Sequence, residues 1–333
     1  MRLVQLVHPH EKRRVAIVSD SQLILLRHHR SAYALANEAI AGGSRIADLA
    51  GQGQSTEMID YDAVYWGRSP WRLLPPFDHP DDPGQCLVSG TGLTHKASAE
   101  NRAKMHQQKT ASVTDSMRMY QLGLEGGAPA AGEIGVQPEW FYKGSGRILR
   151  AHGEALHVPS FADDGGEEPE IVGVYLISAN GDPYRVGFAT GNEFSDHVME
   201  RQNYLYLAPS KLRDCAIGPE LLTGELPSQD IQGKVTIERN GEAFWSTPIY
   251  SGEKNMSHSI ANLEHHHFKY EDHRHPGDVH IHFFGADAFS FGSGIKLMDG
   301  DLMEVSWPAL GRPLRNSIKF DSAPKSLVAP RWL

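Results

Sequence analysis

The chain has 333 residues, and its 40% content of hydrophobic residues is ample for a sizeable core in one large domain or two. Its 32 basic and 41 acidic residues give a formal charge of −9, which argues against nucleic acid or an anionic membrane as the main partner. Two cysteines argue against a disulfide framework, no apolar run approaches the roughly 18 residues of a membrane span, and the N-terminus lacks the apolar core of a signal peptide. These features predict a cytoplasmic protein.

The first 80 residues predict a small N-terminal α+β domain. Residues 2–7 and 14–26 are rich in Val, Ile and Leu and predict short strands, the second of which is interrupted by a turn. A helix is predicted over residues 31–41, because Ser31 can cap its start and two glycines follow its end.

A second domain is predicted over residues 85–333. The stretch 68–84 is rich in Pro and Asp and predicts the linker that leads to it. A helix is predicted near its start, from about Ser98 through His106. On that helix, Glu100 has the spacing of an exposed ion-pair partner for Lys96 or Lys104.

A hairpin is predicted near the middle of the chain. The apolar run 171–177 predicts a buried strand, and a returning strand is predicted at about 184–190. Between them, Asn180-Gly181 is typical of a type I′ turn, which needs positive φ at both central positions. With that turn, Ile177 pairs with Tyr184.

Carboxylates gather at the open end of this hairpin. Glu168 and Glu170 lie on one face of a strand, and the predicted register brings Glu193 opposite Glu168. Three such groups within a few ångström would either have raised pKa values or bind a cation, and hard oxygen ligands favour Mg²⁺, Mn²⁺ or Ca²⁺ over Zn²⁺. The alternative is a solvated acidic segment at residues 167–170, with Glu193 in an unrelated loop.

The C-terminal third predicts another hairpin around Asn240-Gly241 and a last core strand over residues 302–307. Histidines also cluster there, and His280 and His282 would point to one strand face, as metal ligands can. The cluster lacks a clean ligand pattern, and a substrate pocket or a subunit contact would explain it equally well. Its members are His265, His266, His267, His273, His275, His280 and His282.

Several segments together resemble the fumarylacetoacetate hydrolase superfamily. Glu168-Pro-Glu170 before an apolar strand resembles its metal-binding E-x-E, and residues 191–195 (GNEFS) are similar to its G-N-D-x-S. Residues 203–219 (NYLYLAPSK…CAIGP) resemble the N-P-L-Y-L-P-Q-A-K…C-A-I-G-P of its sugar-acid branch, which includes 2-keto-3-deoxy sugar acid dehydratases. The resemblance covers about residues 85–316.

The resemblance implies an α+β fold with the superfamily's mixed β-roll, to which a small N-terminal α+β domain is attached. It also implies a homodimer with a lid over the active site near the subunit interface. The implied ligands are a small-molecule 2-keto acid and a divalent metal, most often Mg²⁺, with Mn²⁺ or Ca²⁺ as alternatives. Neither nucleic acid nor a membrane is implied as a partner.

The metal ligands implied by the resemblance are Glu168, Glu170 and Glu193. The superfamily usually has Asp at the third position, so Glu193 is a departure with a longer arm. Lys211 takes the place of a lysine that stabilises an enolate or transfers a proton, and the alternative is an ordinary surface lysine.

Residues 90–102 resemble the superfamily's lid segment. By that match, Glu100 is the candidate acid or base, because a carboxylate desolvated under a lid can be tuned toward neutral pH. The alternative is the exposed ion pair described above. The positions of the lid's Tyr, Ser, Glu and Arg are taken by His95, Ser98, Glu100 and Arg102. The resemblance thus implies catalytic roles for His95 and Ser98 beside Glu100, and a substrate contact for Arg102.

Substrate contacts are implied for Lys143, Asn192 and Ser293. Lys143 matches the lysine of the superfamily's R-P-E-x-F-F-K segment and would bind the substrate carboxylate, although the glycines that follow it are also typical of a plain flexible turn. Ser293 lies in residues 291–294 (FGSG), which resemble a glycine-rich loop that contacts substrate.

The implied reaction is a metal-dependent dehydration. A 2-keto acid chelates the cation, the C3 proton becomes acidic because the enolate charge develops on a metal-bound oxygen, and the C4 hydroxyl leaves. For 2-keto-3-deoxy-L-arabonate the product would be 2,5-dioxopentanoate. Two alternatives are a hydrolase that cleaves a C–C bond in a 2,4-diketo acid and a non-catalytic sugar-acid-binding module.

Overall fold

The computed structural model describes residues 1–100 and 114–333. They form a mixed α+β structure, which confirms the predicted fold class. None of the described helices is both long enough and apolar enough to cross a membrane. The strands are β1 (Arg2–His8), β2 (Lys12–Ser19), β3 (Gln22–Leu26), β4 (Gln54–Asp60), β5 (Arg72–Leu73), β6 (Cys86–Gly90), β7 (Phe141–Ser145), β8 (Leu149–Arg150), β9 (Leu156–Val158), β10 (Pro169–Ile177), β11 (Pro183–Asn192), β12 (Cys215–Thr223), β13 (Ile231–Arg239), β14 (Glu242–Ser251), β15 (Val279–Phe283), β16 (Leu302–Ser306) and β17 (Leu314–Phe320). The α-helices that lie wholly within the described residues are α1 (Ala32–Ala41), α2 (Ile46–Gln52), α3 (Tyr61–Tyr65), α4 (Asp115–Gly126), α5 (His197–Gln202), α6 (Leu207–Ser210) and α7 (Ile260–Phe268).

The strands form two sheets. The larger has the order β4-β3-β2-β1-β12-β11-β10-β15-β6-β7, with β5 paired to β1 and β8 paired to β12. The smaller has the order β14-β13-β16-β17-β9. Because β1 pairs antiparallel with β12, the N-terminal strands extend the sheet that contains the central hairpin. The division into domains at residues 1–80 and 85–333 stays a prediction.

The N-terminal elements follow the sequence closely. The hydroxyl oxygen of Ser31 accepts a hydrogen bond from Ala34 N (3.1 Å), so it caps α1 as predicted, and Gly42 is the C-terminal cap. The predicted strand over residues 14–26 is divided into β2 and β3 by a turn in which Asp20 has a φ of 51°. The other turn predicted from an Asn-Gly pair, at Asn240-Gly241, joins β13 to β14 with φ values of 55° and 82°.

The central hairpin differs from the prediction at its tip. Ile177 pairs with Pro183 rather than Tyr184, and only Gly181 of the predicted Asn180-Gly181 turn has positive φ (82°), so the two-residue type I′ turn is wrong. The loop has five residues instead. A bulge beside Val174 then shifts the register back by one residue. The loop and the bulge shift the strand register by one residue in opposite directions, so the pairing at the open end of the hairpin is the predicted one.

Strand β10 is buried along its whole length, which explains its continuous apolar sequence. Val172 and Val174 belong to the core cluster that also includes residues of β6, β15 and α1. Ile171 and Tyr175 point the other way, into the cluster that includes residues of β13, β14 and α7. A strand packed on both faces holds the carboxylates at its start in a fixed position.

The buried members of the predicted histidine cluster form a contact between α7 and β15, whereas His265 and His275 are exposed. Trp140 Nε1 donates to His267 Nδ1 (3.1 Å), and His267 Nε2 lies 2.9 Å from His280 Nδ1, while His282 Nδ1 lies 2.9 Å from Ser89 Oγ. Among the described residues, no three of the histidine nitrogens lie close enough together to hold a metal ion. The buried histidines of this cluster are therefore hydrogen-bonded polar side chains packed within the core.

We predict that Gly191→Ala destabilises the protein by about 1–3 kcal/mol, because overpacking a filled core has that cost. A Cβ at this position would lie 2.3 Å from Val172 Cγ2 and 2.6 Å from Phe283 Cε1. Urea unfolding measures the change. The matched control is Gly51→Ala in α2, where the nearest atom is 3.9 Å away and a gain of about 0.4–1 kcal/mol is expected. Equal effects of the two substitutions would contradict this packing.

Acid should destabilise the protein through its buried histidines. Burial lowers the pKa of His280 and of His282 to about 3. Between about pH 6.5 and that value the unfolded chain binds protons that the folded chain does not, so the free energy of unfolding decreases as the pH falls. We expect His282→Gln to reduce this slope by up to about 1.4 kcal/mol per pH unit, measured by urea unfolding at pH 5, 6 and 7. Equal slopes for the unsubstituted protein and His282→Gln would refute the expectation.

Candidate functional site

Three carboxylates meet where β10 begins and β11 ends. The backbone of Glu193 donates to Glu168 O (2.9 Å), which confirms the predicted pairing of these two residues. Glu168, Glu170 and Glu193 are all buried, and one carboxylate oxygen from each lies within 4.8 Å of the others. The alternative of a solvated acidic segment is therefore wrong.

Lys211, at the C-terminal cap of α6, extends its ammonium group into this cluster. Its Nζ donates to both oxygens of Glu168 (2.8 and 2.9 Å), to Glu193 Oε2 (2.6 Å) and to Ser195 Oγ (3.0 Å). The side chain is 1% exposed, so the alternative of an ordinary surface lysine is wrong. The sequence prediction and the structure place this lysine in the same site as the carboxylates.

The three carboxylates differ in their electrostatic surroundings. Burial acts to raise the pKa of Glu168, but the Lys211 ammonium and a hydrogen bond from His197 hold that pKa well below its ordinary value. Burial and the negative charges of Glu193 and Glu168 raise the pKa of Glu170 well above its ordinary value. Burial also raises the pKa of Glu193 to about 7, although the ammonium groups of Lys143 and Lys211 oppose the change.

This donor set fits a divalent cation. Carboxylate oxygens are the ligands that Mg²⁺, Mn²⁺ and Ca²⁺ prefer. The charges of Lys143 and Lys211 balance two of the three carboxylates, and Glu170 receives a hydrogen bond only from Gly285 N (2.6 Å) among the described residues. A divalent cation would place positive charge beside Glu170, the carboxylate of the three that has no ion pair among the described residues.

His197, in α5, also belongs to the site and was not predicted. Its Nε2 lies 2.9 Å from Glu168 Oε1, and its ring stacks on Phe289 (centroids 4.8 Å apart) and Phe291 (5.0 Å). A Cβ at Gly166 would lie 2.7 Å from His197 Nδ1, so the ring occupies space that only glycine leaves free. Burial acts to lower the pKa of His197, but the contact with Glu168 raises it above its ordinary value.

The segment that contains Ser293 is tied to the same strand. Glu167, which precedes the first metal-ligand candidate, is fully buried and accepts hydrogen bonds from Ser290 N (2.6 Å) and Ser290 Oγ (2.7 Å). Burial raises the pKa of Glu167. Ser293 itself is exposed, at the end of the short 3₁₀ turn that Ser290 begins. Its predicted contact with substrate stays a prediction.

The residues predicted for the lid have different surroundings. Residues 96–100 are helical, so the helix begins before the predicted Ser98, which is buried. Glu100 Oε1 lies 3.8 Å from Lys96 Nζ, the ion pair that was the alternative to a catalytic role, and its side chain is 46% exposed. Arg102 lies outside the described residues. The catalytic roles of Ser98 and Glu100 stay predictions.

His95 is held as a neutral imidazole. Thr94 donates its hydroxyl proton to Phe284 O (2.7 Å). The Thr94 hydroxyl oxygen therefore accepts the hydrogen bond from His95 Nδ1–H (2.9 Å), and the other ring nitrogen, Nε2, carries the lone pair. Burial lowers the pKa of His95 to about 4. A Cβ on Gly285 would lie 2.0 Å from Thr94 Oγ1, so this unit packs directly against the residue that donates to Glu170.

The other two predicted substrate contacts, Lys143 and Asn192, are buried. Asn192 Oδ1 accepts hydrogen bonds from Glu168 N and Phe194 N (both 3.3 Å), so its amide joins the backbones of the two strands. Lys143 Nζ lies 2.6 Å from Glu193 Oε1 and donates to two backbone carbonyls. Both residues support the carboxylate cluster, and their predicted contacts with substrate stay predictions.

Comparison with curated proteins finds two sugar-acid dehydratases. The 2-dehydro-3-deoxy-D-arabinonate dehydratase of Saccharolobus solfataricus is 26% identical over 182 residues, which cover 54% of this chain and 53% of that protein. The probable 2-keto-3-deoxyxylonate dehydratase of Haloferax volcanii is 30% identical over 132 residues, which cover 38% of this chain and 42% of that protein. The chain thus spans about half the length of the curated relatives that it matches. No family model matches it.

Solved structures share the fold over nearly the whole chain. A structure of 2-keto-3-deoxy-D-arabinonate dehydratase complexed with magnesium and 2,5-dioxopentanoate has a TM-score of 0.71 and 22% identity, covering 96% of this chain and 99% of that one. The 5-carboxymethyl-2-hydroxymuconate delta-isomerase of Mycobacterium smegmatis has a TM-score of 0.58 and 16% identity, covering 97% and 100%. The chain thus shares the fold of these solved structures over nearly its whole length, and its predicted resemblance to the 2-keto-3-deoxy sugar acid dehydratases is confirmed.

Proposed function

We propose that the protein is a metal-dependent hydro-lyase that dehydrates a 2-keto-3-deoxy sugar acid, such as 2-keto-3-deoxy-L-arabonate to 2,5-dioxopentanoate. The observation that carries the proposal is the buried cluster of Glu168, Glu170 and Glu193 around the Lys211 ammonium. The names of the curated relatives support the substrate class. The predicted homodimer and cytoplasmic location remain predictions.

The carboxylates would hold Mg²⁺, or Mn²⁺ or Ca²⁺ in its place, and the cation would make C3–H acidic by withdrawing electron density from the 2-keto group. The Lys211 ammonium supplies a fixed positive charge beside the same carboxylates, where negative charge develops as that proton leaves. Because the site is buried, this charge acts in a medium of low dielectric constant and is not screened by bulk water.

Proton transfers need a base and an acid. His95 would accept the C3 proton at Nε2, because its tautomer is fixed by Thr94 and this lone pair is free of hydrogen bonds from the described residues. Its lowered pKa makes it a weak base, so the transfer depends on the acidity that the cation would give to C3–H. Glu100 would protonate the departing C4 hydroxyl as its C–O bond breaks, so that water leaves and a C3–C4 double bond forms. Isomerisation of that product, with the C5 hydroxyl becoming a carbonyl, gives the 2,5-dioxo acid.

A turnover assay tests the function. Purified protein with Mg²⁺ should convert a 2-keto-3-deoxypentonate to a 2,5-dioxo acid, detected by NMR, and chelation of the metal should abolish the conversion. The L-arabonate, D-arabinonate and D-xylonate derivatives compared side by side would give the stereochemistry. Cleavage of an acylpyruvate without dehydration would instead establish the C–C hydrolase. Tight sugar-acid binding in calorimetry with no product would establish a binding module.

The metal part of the proposal is tested by Glu170→Gln. We expect at least a 10-fold weaker affinity for Mn²⁺, loss of metal-dependent activity and a higher thermal midpoint of the metal-free protein, because a buried carboxylate without a cationic partner is removed. Electron paramagnetic resonance and calorimetry measure these changes. The control is Glu264→Gln, whose side chain accepts from Tyr175 and Arg185 and supports none of the three carboxylates, so its Mn²⁺ affinity should stay within about 2-fold. Unchanged Mn²⁺ binding in Glu170→Gln would remove Glu170 from the site.

A further inference from the structure

The ammonium group of Lys143 is completely enclosed by protein. The residue lies in β7, and its side chain is 0% exposed. Its Nζ donates to Phe194 O (2.8 Å) and Lys211 O (3.0 Å) and forms an ion pair with Glu193 Oε1 (2.6 Å). Three oxygens thus lie close to the ammonium group: the two carbonyls accept hydrogen bonds from it, and Glu193 Oε1 makes an ion-pair contact only. A substrate carboxylate could reach this ammonium only by displacing one of them.

The carbonyl of Phe194 that Lys143 holds belongs to a strained residue. Phe194 follows Glu193 directly and has a φ of 40°, in the left-handed region that bulky residues avoid. Its N–H donates to Asn192 Oδ1 (3.3 Å), and its carbonyl accepts from Lys143. The turn that presents Glu193 to the cluster is therefore fixed on both sides of the strained residue.

Lys143 also contacts the longer carboxylate that replaces the superfamily's usual Asp. Glu193 Oε1 faces Lys143, while Glu193 Oε2 accepts hydrogen bonds from Lys211 (2.6 Å) and Ser195 (3.1 Å). The two oxygens are held from opposite directions. Lys143 also donates to the backbone carbonyl of Lys211. Its ammonium group therefore connects Glu193, the third metal-ligand candidate, to the backbone of Lys211.

We propose that Lys143 is a positioning residue that holds Glu193, the Phe194 turn and the Lys211 backbone in the arrangement that binds the cation, and that it does not bind the substrate carboxylate. The inference rests on the proposed function for the existence of the cation and the substrate. It replaces the role that the sequence resemblance implied for this lysine. It also explains how a glutamate serves where an aspartate is usual.

The decisive variant is Lys143→Met, which keeps the length of the side chain and removes its charge. We expect its dissociation constant for Mn²⁺, measured without substrate by electron paramagnetic resonance, to rise about 10–100-fold, the range for residues that support a metal ligand. At saturating metal, kcat should fall while KM for the keto acid stays within about 2-fold. An unchanged Mn²⁺ constant with a KM raised 10-fold or more would overturn the proposal, because that pattern marks a direct substrate contact.

A second pair of variants separates this role from a general loss of structure. Lys143→Met leaves the buried Glu193 carboxylate without one of its cations, so its thermal midpoint should fall, and the double variant Lys143→Met/Glu193→Gln should regain part of that loss. Additive losses in the double variant would overturn the proposal. The Mn²⁺ and unfolding measurements need no substrate, so they decide the role of Lys143 even if no keto acid is turned over.

Discussion

The structure depends on the burial of two lysine ammonium groups among three carboxylates. Isolated charges are not stable in a protein interior, so Lys211 and Lys143 are retained there only because Glu168 and Glu193 lie within 2.6–2.9 Å of them. Glu170 is the carboxylate left without an ion pair among the described residues, and its raised pKa reflects that imbalance. Additional positive charge beside Glu170 would therefore stabilise the cluster, and the surrounding fold holds the three carboxylates in place.

The elements that hold the cluster also hold the loop predicted to contact substrate. Glu167 anchors the start of the loop through Ser290, and His197 contacts Glu168 while its ring stacks on Phe289 and Phe291 of the same loop. A displacement of the loop would therefore disturb Glu168, and a displacement of Glu168 would disturb the loop. This shared support gives a physical reason why cation and keto acid would bind to one preorganised unit.

The pairing of Glu168 with Glu193 was predicted correctly only because two unpredicted irregularities, the five-residue loop and the bulge beside Val174, shift the register in opposite directions. The turn itself was mispredicted, since Asn180-Gly181 follows a local preference that the longer loop overrides. His197 could not be predicted, because its role depends on two phenylalanines more than 90 residues away. The enclosure of Lys143 likewise depends on carbonyl groups 51 and 68 residues distant, which no local pattern encodes.

The central claim is that Glu168, Glu170 and Glu193 together bind one divalent cation. Anomalous diffraction from crystals of the protein grown with Mn²⁺ tests it most directly. We expect a single strong anomalous peak at about 2.0–2.6 Å from a carboxylate oxygen of each of the three residues. A cluster without a peak, or a peak at another place such as the histidines between α7 and β15, would contradict it.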